Sequence, residues 1–274
     1  MNVRFSFRRA GAGACLATLA IAVSAAPAAA VQKITSCGTI VSSQNAQLDA
    51  NLSFSGAGAC VELEQGKNLN TNGFTITCTN GSGCGHAVLC DPTDQNNEAS
   101  VVFSSKSNDG GHVDLSGPFT SAVEDCGQVK DLKIVGATTG IQFDDANSDG
   151  KKYFRNVLED VTIGVSVKMG DNTDRVHDNR IDATGIGVVA IGSSSGSGPR
   201  VDHNVIRGFD TSGIFNNDSS HLRIEDNVLV DRGDDAAEAL DVSSANASFD
   251  NNVCEVDSDC DCELDELTAP VSCL

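Results

Sequence analysis

The residue types most suited to chemistry in this sequence are its carboxylates. Asp231, Asp234, Asp235 and Glu238 fall within one short stretch. Two carboxyl groups whose surroundings hold them in different ionisation states can act as general acid and general base. These four are therefore the candidate catalytic group, set against a plain solvated acidic loop. A second constellation is Asp145-Ala146-Asn147-Ser148-Asp149-Gly150. The alternate oxygens of Asp145, Asn147 and Asp149 suit convergence on one calcium ion, and Gly150 permits the tight turn. The position where such a loop carries its bidentate Glu is Asn156. Calcium is thus the one cofactor the sequence suggests, and an Asx-rich turn explains the same residues equally well.

Charge sets the partners. The chain has 18 Lys and Arg against 38 Asp and Glu, a formal net charge of −20. Arg4, Arg8 and Arg9 precede an apolar run over 10–26, which closes on Ala28-Ala29-Ala30. This pattern predicts a signal peptide over 1–30, cleaved before Val31. The apolar run is too short for a permanent span, and no other segment predicts membrane insertion. Cys15 sits at the start of that run, which argues for free release over lipidation. Residues 31–274 then form one secreted domain, extracellular or periplasmic, with a charge of 15 − 38 = −23. Such a surface repels nucleic acid. It also disfavours bare polyanionic glycans unless a metal intervenes.

Export agrees with the cysteines. Ten of the eleven lie beyond Cys15, an even number for an oxidising compartment. Cys37, Cys60, Cys78, Cys84, Cys90 and Cys126 occupy the first half; Cys254, Cys260, Cys262 and Cys273 close the chain. None lies between, which suits an elongated fold stapled at its ends. The expected caps are about 31–126 and an acidic one at about 254–274. Cys78 and Cys84, flanking a Gly/Ser turn, are the expected neighbouring pair. The remaining pairings stay open.

A repeat must hold these groups in place. Val176-His177-Asp178-Asn179-Arg180-Ile181 aligns without gaps with Val201-Asp202-His203-Asn204-Val205-Ile206. Ile224-Glu225-Asp226-Asn227-Val228-Leu229 and Phe249-Asp250-Asn251-Asn252-Val253-Cys254 continue the series, with Asn spacings of 25, 23 and 25. Earlier copies at 129–134 and 158–163 read as degenerate, with Leu or Val in place of Asn. Gly or Ala followed by alternating apolar residues recurs too, as in Gly140-Ile141-Gln142-Phe143, Gly213-Ile214-Phe215 and Ala239-Leu240. Alternation of this kind predicts short strands, and one repeat cannot bury its apolar face alone. Stacking at about 24 residues per coil gives roughly ten coils. Asn179, Asn204, Asn227 and Asn252 are expected to form one inward ladder, with Asn supplying the left-handed bend. Arg175, Arg200 and Arg223, with His177, Asp202, Glu225 and Asp250, should face outward as a solvated stripe of cross-strand ion pairs.

This pattern resembles the right-handed parallel β-helix repeat family of the pectate-lyase-like superfamily. The likeness runs from Val129 to Cys254 and, more loosely, over 68–115 through Asn72-Gly73-Phe74-Thr75-Ile76. It implies an all-β, right-handed parallel β-helix, a fold that hosts lyases, hydrolases, epimerases and non-catalytic adhesins. Fold alone therefore does not settle function. Asn172-Thr173-Asp174 and Gly233-Asp234-Asp235 are similar to two polygalacturonase motifs, but Gly-His-Gly and Arg-x-Lys are absent. The expectation is a non-catalytic scaffold that contacts polysaccharide or a surface protein. The alternative is a polysaccharide lyase or glycoside hydrolase.

Overall fold

The computed structural model describes residues 30–91, 100–106, 111–144, 150–170, 173–192, 199–217, 221–231, 238–242, 247–255 and 272–273. The strands among them build two long parallel sheets. One, the narrow sheet, has ten strands, each three residues long; the other, the broad sheet, has seventeen. Among the described residues no helix is long and apolar enough to cross a membrane. The architecture is the expected all-β parallel solenoid, in which the chain visits both sheets on each coil.

The middle residue of each narrow-sheet strand points inward. Val129, Tyr153, Val176, Val201, Ile224 and Phe249 stack in strict register and all are buried. On the broad sheet Leu158, Ile181, Ile206, Leu229 and Cys254 form a second inward column. Each buried aliphatic side chain contributes about 1.5–3 kcal/mol when removed from water. The removal requires a coil above and a coil below, which is why the repeat folds as an array.

The asparagines form the predicted ladder, and it is longer than the sequence suggested. Asn156, Asn179, Asn204, Asn227 and Asn252 are all buried. Each of the first four donates its backbone N–H and one side-chain N–H to the Oδ1 of the next, at 2.9–3.1 Å. The second side-chain hydrogen goes to a strand carbonyl of the preceding coil, as from Asn204 to Val176 at 2.9 Å. A buried amide is costly unless all its groups are paired, and here they are.

Two expectations are corrected. The left-handed bend belongs to the residue before each ladder position: Arg155, Asp178, His203, Asp226 and Asn251 before the Asn residues, and Asp131 before Leu132, have φ between 52° and 59°. The copy placed at 158–163 is out of register. The true repeat is Tyr153-Phe154-Arg155-Asn156, because Tyr153 pairs with Val176 and Phe154 with His177.

A glycine column lines the broad sheet. A Cβ on Gly187 would lie 2.2 Å from Ile206 Cγ2 and 2.5 Å from the Gly213 carbonyl oxygen. Gly140, Gly164 and Gly213 are similarly enclosed, and Ala239 takes the next place. Gly140, Gly213 and Ala239 are the residues seen in the sequence before the alternating apolar residues, and Gly164 and Gly187 fill the places between. Their role is close approach between coils.

The six N-terminal cysteines pair among themselves, as Cys37–Cys60, Cys78–Cys84 and Cys90–Cys126. The N-terminal coils are thus stapled, and the expected Cys78–Cys84 pair is present. Cys260 and Cys262 lie outside the described residues. Farther along, Lys151 and Asp174 form a fully buried ion pair at 3.2 Å, with Lys151 Nζ 5.0 Å from the centre of the Phe143 ring.

Candidate interaction face

The outer face of the narrow sheet carries two side-chain columns in register. Lys152, Arg175, Arg200 and Arg223 occupy the first position of successive strands. Phe103, Lys130, Phe154, His177, Asp202 and Glu225 occupy the third. Parallel pairing repeats every ~4.8 Å, so each column is a tight row. Like charges stacked this way repel unless acids intervene.

The third-position column starts as an aromatic and cationic stack. Lys130 Nζ lies 5.6 Å from the Phe103 ring centre and 5.8 Å from that of Phe154. The Arg155 guanidinium sits 4.6 Å from the Phe154 centre, and the His177 ring stacks on Phe154 at 5.0 Å with a 6° interplanar angle. Arg155 also makes a fork on Asp131 at 2.7 and 2.8 Å, and that hydrogen bonding raises its pKa above the ordinary value.

Farther along, the column turns acidic and pairs. Arg175 Nε donates to Asp202 Oδ1 at 2.6 Å, and its second nitrogen contacts the other oxygen. His203 Nδ1 lies 2.8 Å from Asp202, and its Nε2 lies 3.6 Å from Asp226. Burial pushes the Asp202 carboxyl up, but the hydrogen bonds from Arg175 and His203 outweigh it and hold the pKa below the usual value. Asp202 in turn raises the pKa of His203, chiefly through their hydrogen bond. Arg223 Nη1 is 3.9 Å from Glu225. The mixed stripe expected from sequence is present, but Asp202 is buried rather than solvated; Arg155–Asp131 and Arg175–Asp202 reach between coils, while Arg223–Glu225 lies within one strand.

The carboxylates singled out for catalysis fare differently. Asp231 ends the strand Val228–Asp231 and is half-buried; Glu238 opens Glu238–Val242 and is exposed. Asp234 and Asp235 lie outside the described residues, as do Asp145, Asn147 and Asp149. A group of hydrolytic appearance occurs elsewhere on the broad sheet. Ser121 Oγ is 2.8 Å from Glu124 and 2.8 Å from Gln142, and His86 Nδ1 is 2.8 Å from Glu124. Ser121 is fully buried. The His contacts the carboxylate, so the nucleophile has no imidazole base in this arrangement. A groove of about 500 Å³ at the N-terminal end is lined by Ile40, Glu62, Glu64, Leu89, Asp91 and Asp125. It is acidic, whereas the narrow-sheet face sets a row of cations beside paired acids.

Parallel coils with an internal Asn column define a right-handed parallel β-helix repeat protein. The family model described as "Periplasmic copper-binding protein (NosD)" matches residues 93–261. The match covers more than half of the 274 residues, and the chain belongs to that family. Its periplasmic description agrees with an exported protein. Neither a curated protein nor a solved structure matches the chain.

That description overturns calcium as the expected ion. The family is described by copper, and no group of three or more His, Cys, Asp and Glu among the described residues is arranged to hold a metal. Copper is held by imidazole, thiolate and thioether ligands. The six N-terminal cysteines are consumed in disulfides, and the five histidines belong to no cluster of three or more such ligands among the described residues. The described residues therefore do not fit a copper site either.

Sequence reasoning missed the aromatic stack. Its signal was available: Phe154 stands two residues before Asn156, as His177 stands two before Asn179. Misplacing that coil hid the shared column.

Proposed function

We propose that this chain is an exported, non-catalytic β-helix scaffold that binds a partner along the outer face of its narrow sheet. The carrying observation is the contrast in charge. In a chain of net charge −20, Lys152, Arg175, Arg200 and Arg223 stand in one unbroken row. Lys152 and Arg200 have no ion pair with any described residue. Electrostatic complementarity of this kind sets partner choice and association rate more than raw affinity. Residues 1–30 would serve export, with Val31 as the new N-terminus.

Two measurements test this. Photo-crosslinkers placed at Lys152 and, as control, at Glu62 in the acidic groove should differ, with adducts at Lys152. Polysaccharide incubations should release neither new reducing ends nor unsaturated uronates. Release that is lost in Asp231→Asn or Glu238→Gln would replace the scaffold with a polysaccharide-active enzyme.

A further inference from the structure

We infer that the narrow-sheet face between Phe103 and Arg200 takes an extended acidic polypeptide segment. The inference rests on the scaffold reading and adds the chemical class of the partner.

The rings decide between peptide and sugar. Sugars dock on aromatic side chains through the flat ring face. Here the Phe154 ring has His177 stacked at 5.0 Å and two cations, from Lys130 and Arg155, within 5.8 Å of its centre. Lys130 also lies over Phe103. With the faces of Phe154 taken up inside the stack, that ring offers a ligand its edge. Ring edges carry the positive end of the quadrupole. Edges framed by ammonium and guanidinium groups favour carboxylates and peptide carbonyls.

The row of cations fits the same ligand. Three inter-strand steps separate Lys152 from Arg223, a span of roughly 14 Å. Four or five residues of extended chain cover that length at about 3.3 Å each. Arg175 is engaged with Asp202 and Arg223 lies beside Glu225. Lys152 and Arg200 are the cations left to meet an incoming carboxylate. The acidity of the rest of the molecule repels such a segment elsewhere, so specificity for this face needs no further contact.

The test uses the whole secreted chain and three probes: a labelled Glu/Ala-rich peptide, a Lys/Ala-rich peptide of the same length, and an oligogalacturonate of matched charge. Anisotropy at low salt should show binding of the acidic peptide above both others, weakening as salt shortens the screening length. Lys152→Glu with Arg200→Glu should loosen it at least about tenfold. Lys152→Gln with Arg200→Gln, which introduces no new repulsion, should loosen it in the same direction. Phe154→Leu should also weaken the peptide, because it removes the electropositive ring edge. The inference is overturned if the oligogalacturonate binds as tightly as the peptide. It is also overturned if neither double variant changes the affinity, or if no peptide binds the parent. Crosslinks at Lys152 without peptide binding would remove this partner class and leave the scaffold standing. Carboxylate-dependent turnover would remove the scaffold itself.

Discussion

The side-chain amide of Asn204 donates to Asn227 Oδ1 at 3.0 Å, and the same oxygen accepts the Asn204 backbone N–H at 3.0 Å. One oxygen therefore satisfies two donors of the coil before it. Asn204 does the same for Asn179. Asn156 accepts from the Leu132 backbone N–H, where the partner residue has no amide. Each buried donor left without an acceptor costs about 1–3 kcal/mol. Asn204→Leu orphans two donors of Asn179 and should lower the denaturation midpoint more than Asn156→Leu, which orphans one on Leu132. Equal midpoints would contradict this assignment.

The glycine column gives a contrast within one residue type. Gly187→Ala places a methyl against Ile206 and a backbone carbonyl, and overpacking of this kind costs about 1–3 kcal/mol or more. Gly58 has nothing within 4 Å of the same added atom. Gly58→Ala should be neutral, or should stabilise by about 0.4–1 kcal/mol through the unfolded chain. Urea titration of both variants reads the difference.

The Asp202–His203 pair predicts a pH window. The pKa of His203 is raised on folding, so its contribution is complete below the unfolded value of about 6.5 and is lost as pH rises through the folded one. That of Asp202 is lowered, so its contribution is complete above the unfolded value of about 3.9 and is lost as pH falls through the folded one. Between those limits both act. The melting temperature of the parent, minus that of His203→Gln, should be greatest at mildly acidic pH and shrink towards pH 8. A difference independent of pH would rule out the pairing. His203 is largely exposed, and salt should reduce the effect.

Lys151 and Asp174 are both fully buried, and Asp174 also accepts backbone N–H groups from Lys151 and Gly170. Removing one member of such a pair strands the other charge. Lys151→Met should cost roughly 3–5 kcal/mol. Adding Asp174→Asn should recover part of that, because a neutral amide oxygen still accepts the backbone bonds. A double variant no more stable than Lys151→Met would show that the loss comes from packing.

The coil architecture was legible because period-two alternation and a 23- to 25-residue Asn spacing are properties of the chain itself. Asn156 was missed because an ungapped comparison from Leu158 also returns apolar positions in phase. Only pairing of Tyr153 with Val176 separates the two registers. The left-handed bend was assigned to the ladder Asn because Asn tolerates it. The chain instead gives it to Arg155 and His203 as well as to Asp and Asn, and leaves the Asn free to turn inward. The outward Arg row was foreseen, since its phase follows from the ladder. Its aromatic continuation was not, because Phe103, Lys130 and Phe154 become neighbours only when coils of unequal length are brought into register. The candidate acid/base group drew on local density of carboxylates, which carries no information about whether they converge.

The Asn column also has a sense of direction. From Asn156 to Asn227 each rung sends its backbone N–H and one side-chain hydrogen to the amide oxygen of its C-terminal neighbour, and only its second side-chain hydrogen points back to a strand carbonyl. A stack growing from its first coil always presents donors in search of an oxygen at its leading end, whichever coil that is. Extension in that direction is templated by the coil already in place, while the opposite end presents an acceptor. The two termini of the solenoid are chemically unlike, and a terminator suited to one would not serve the other.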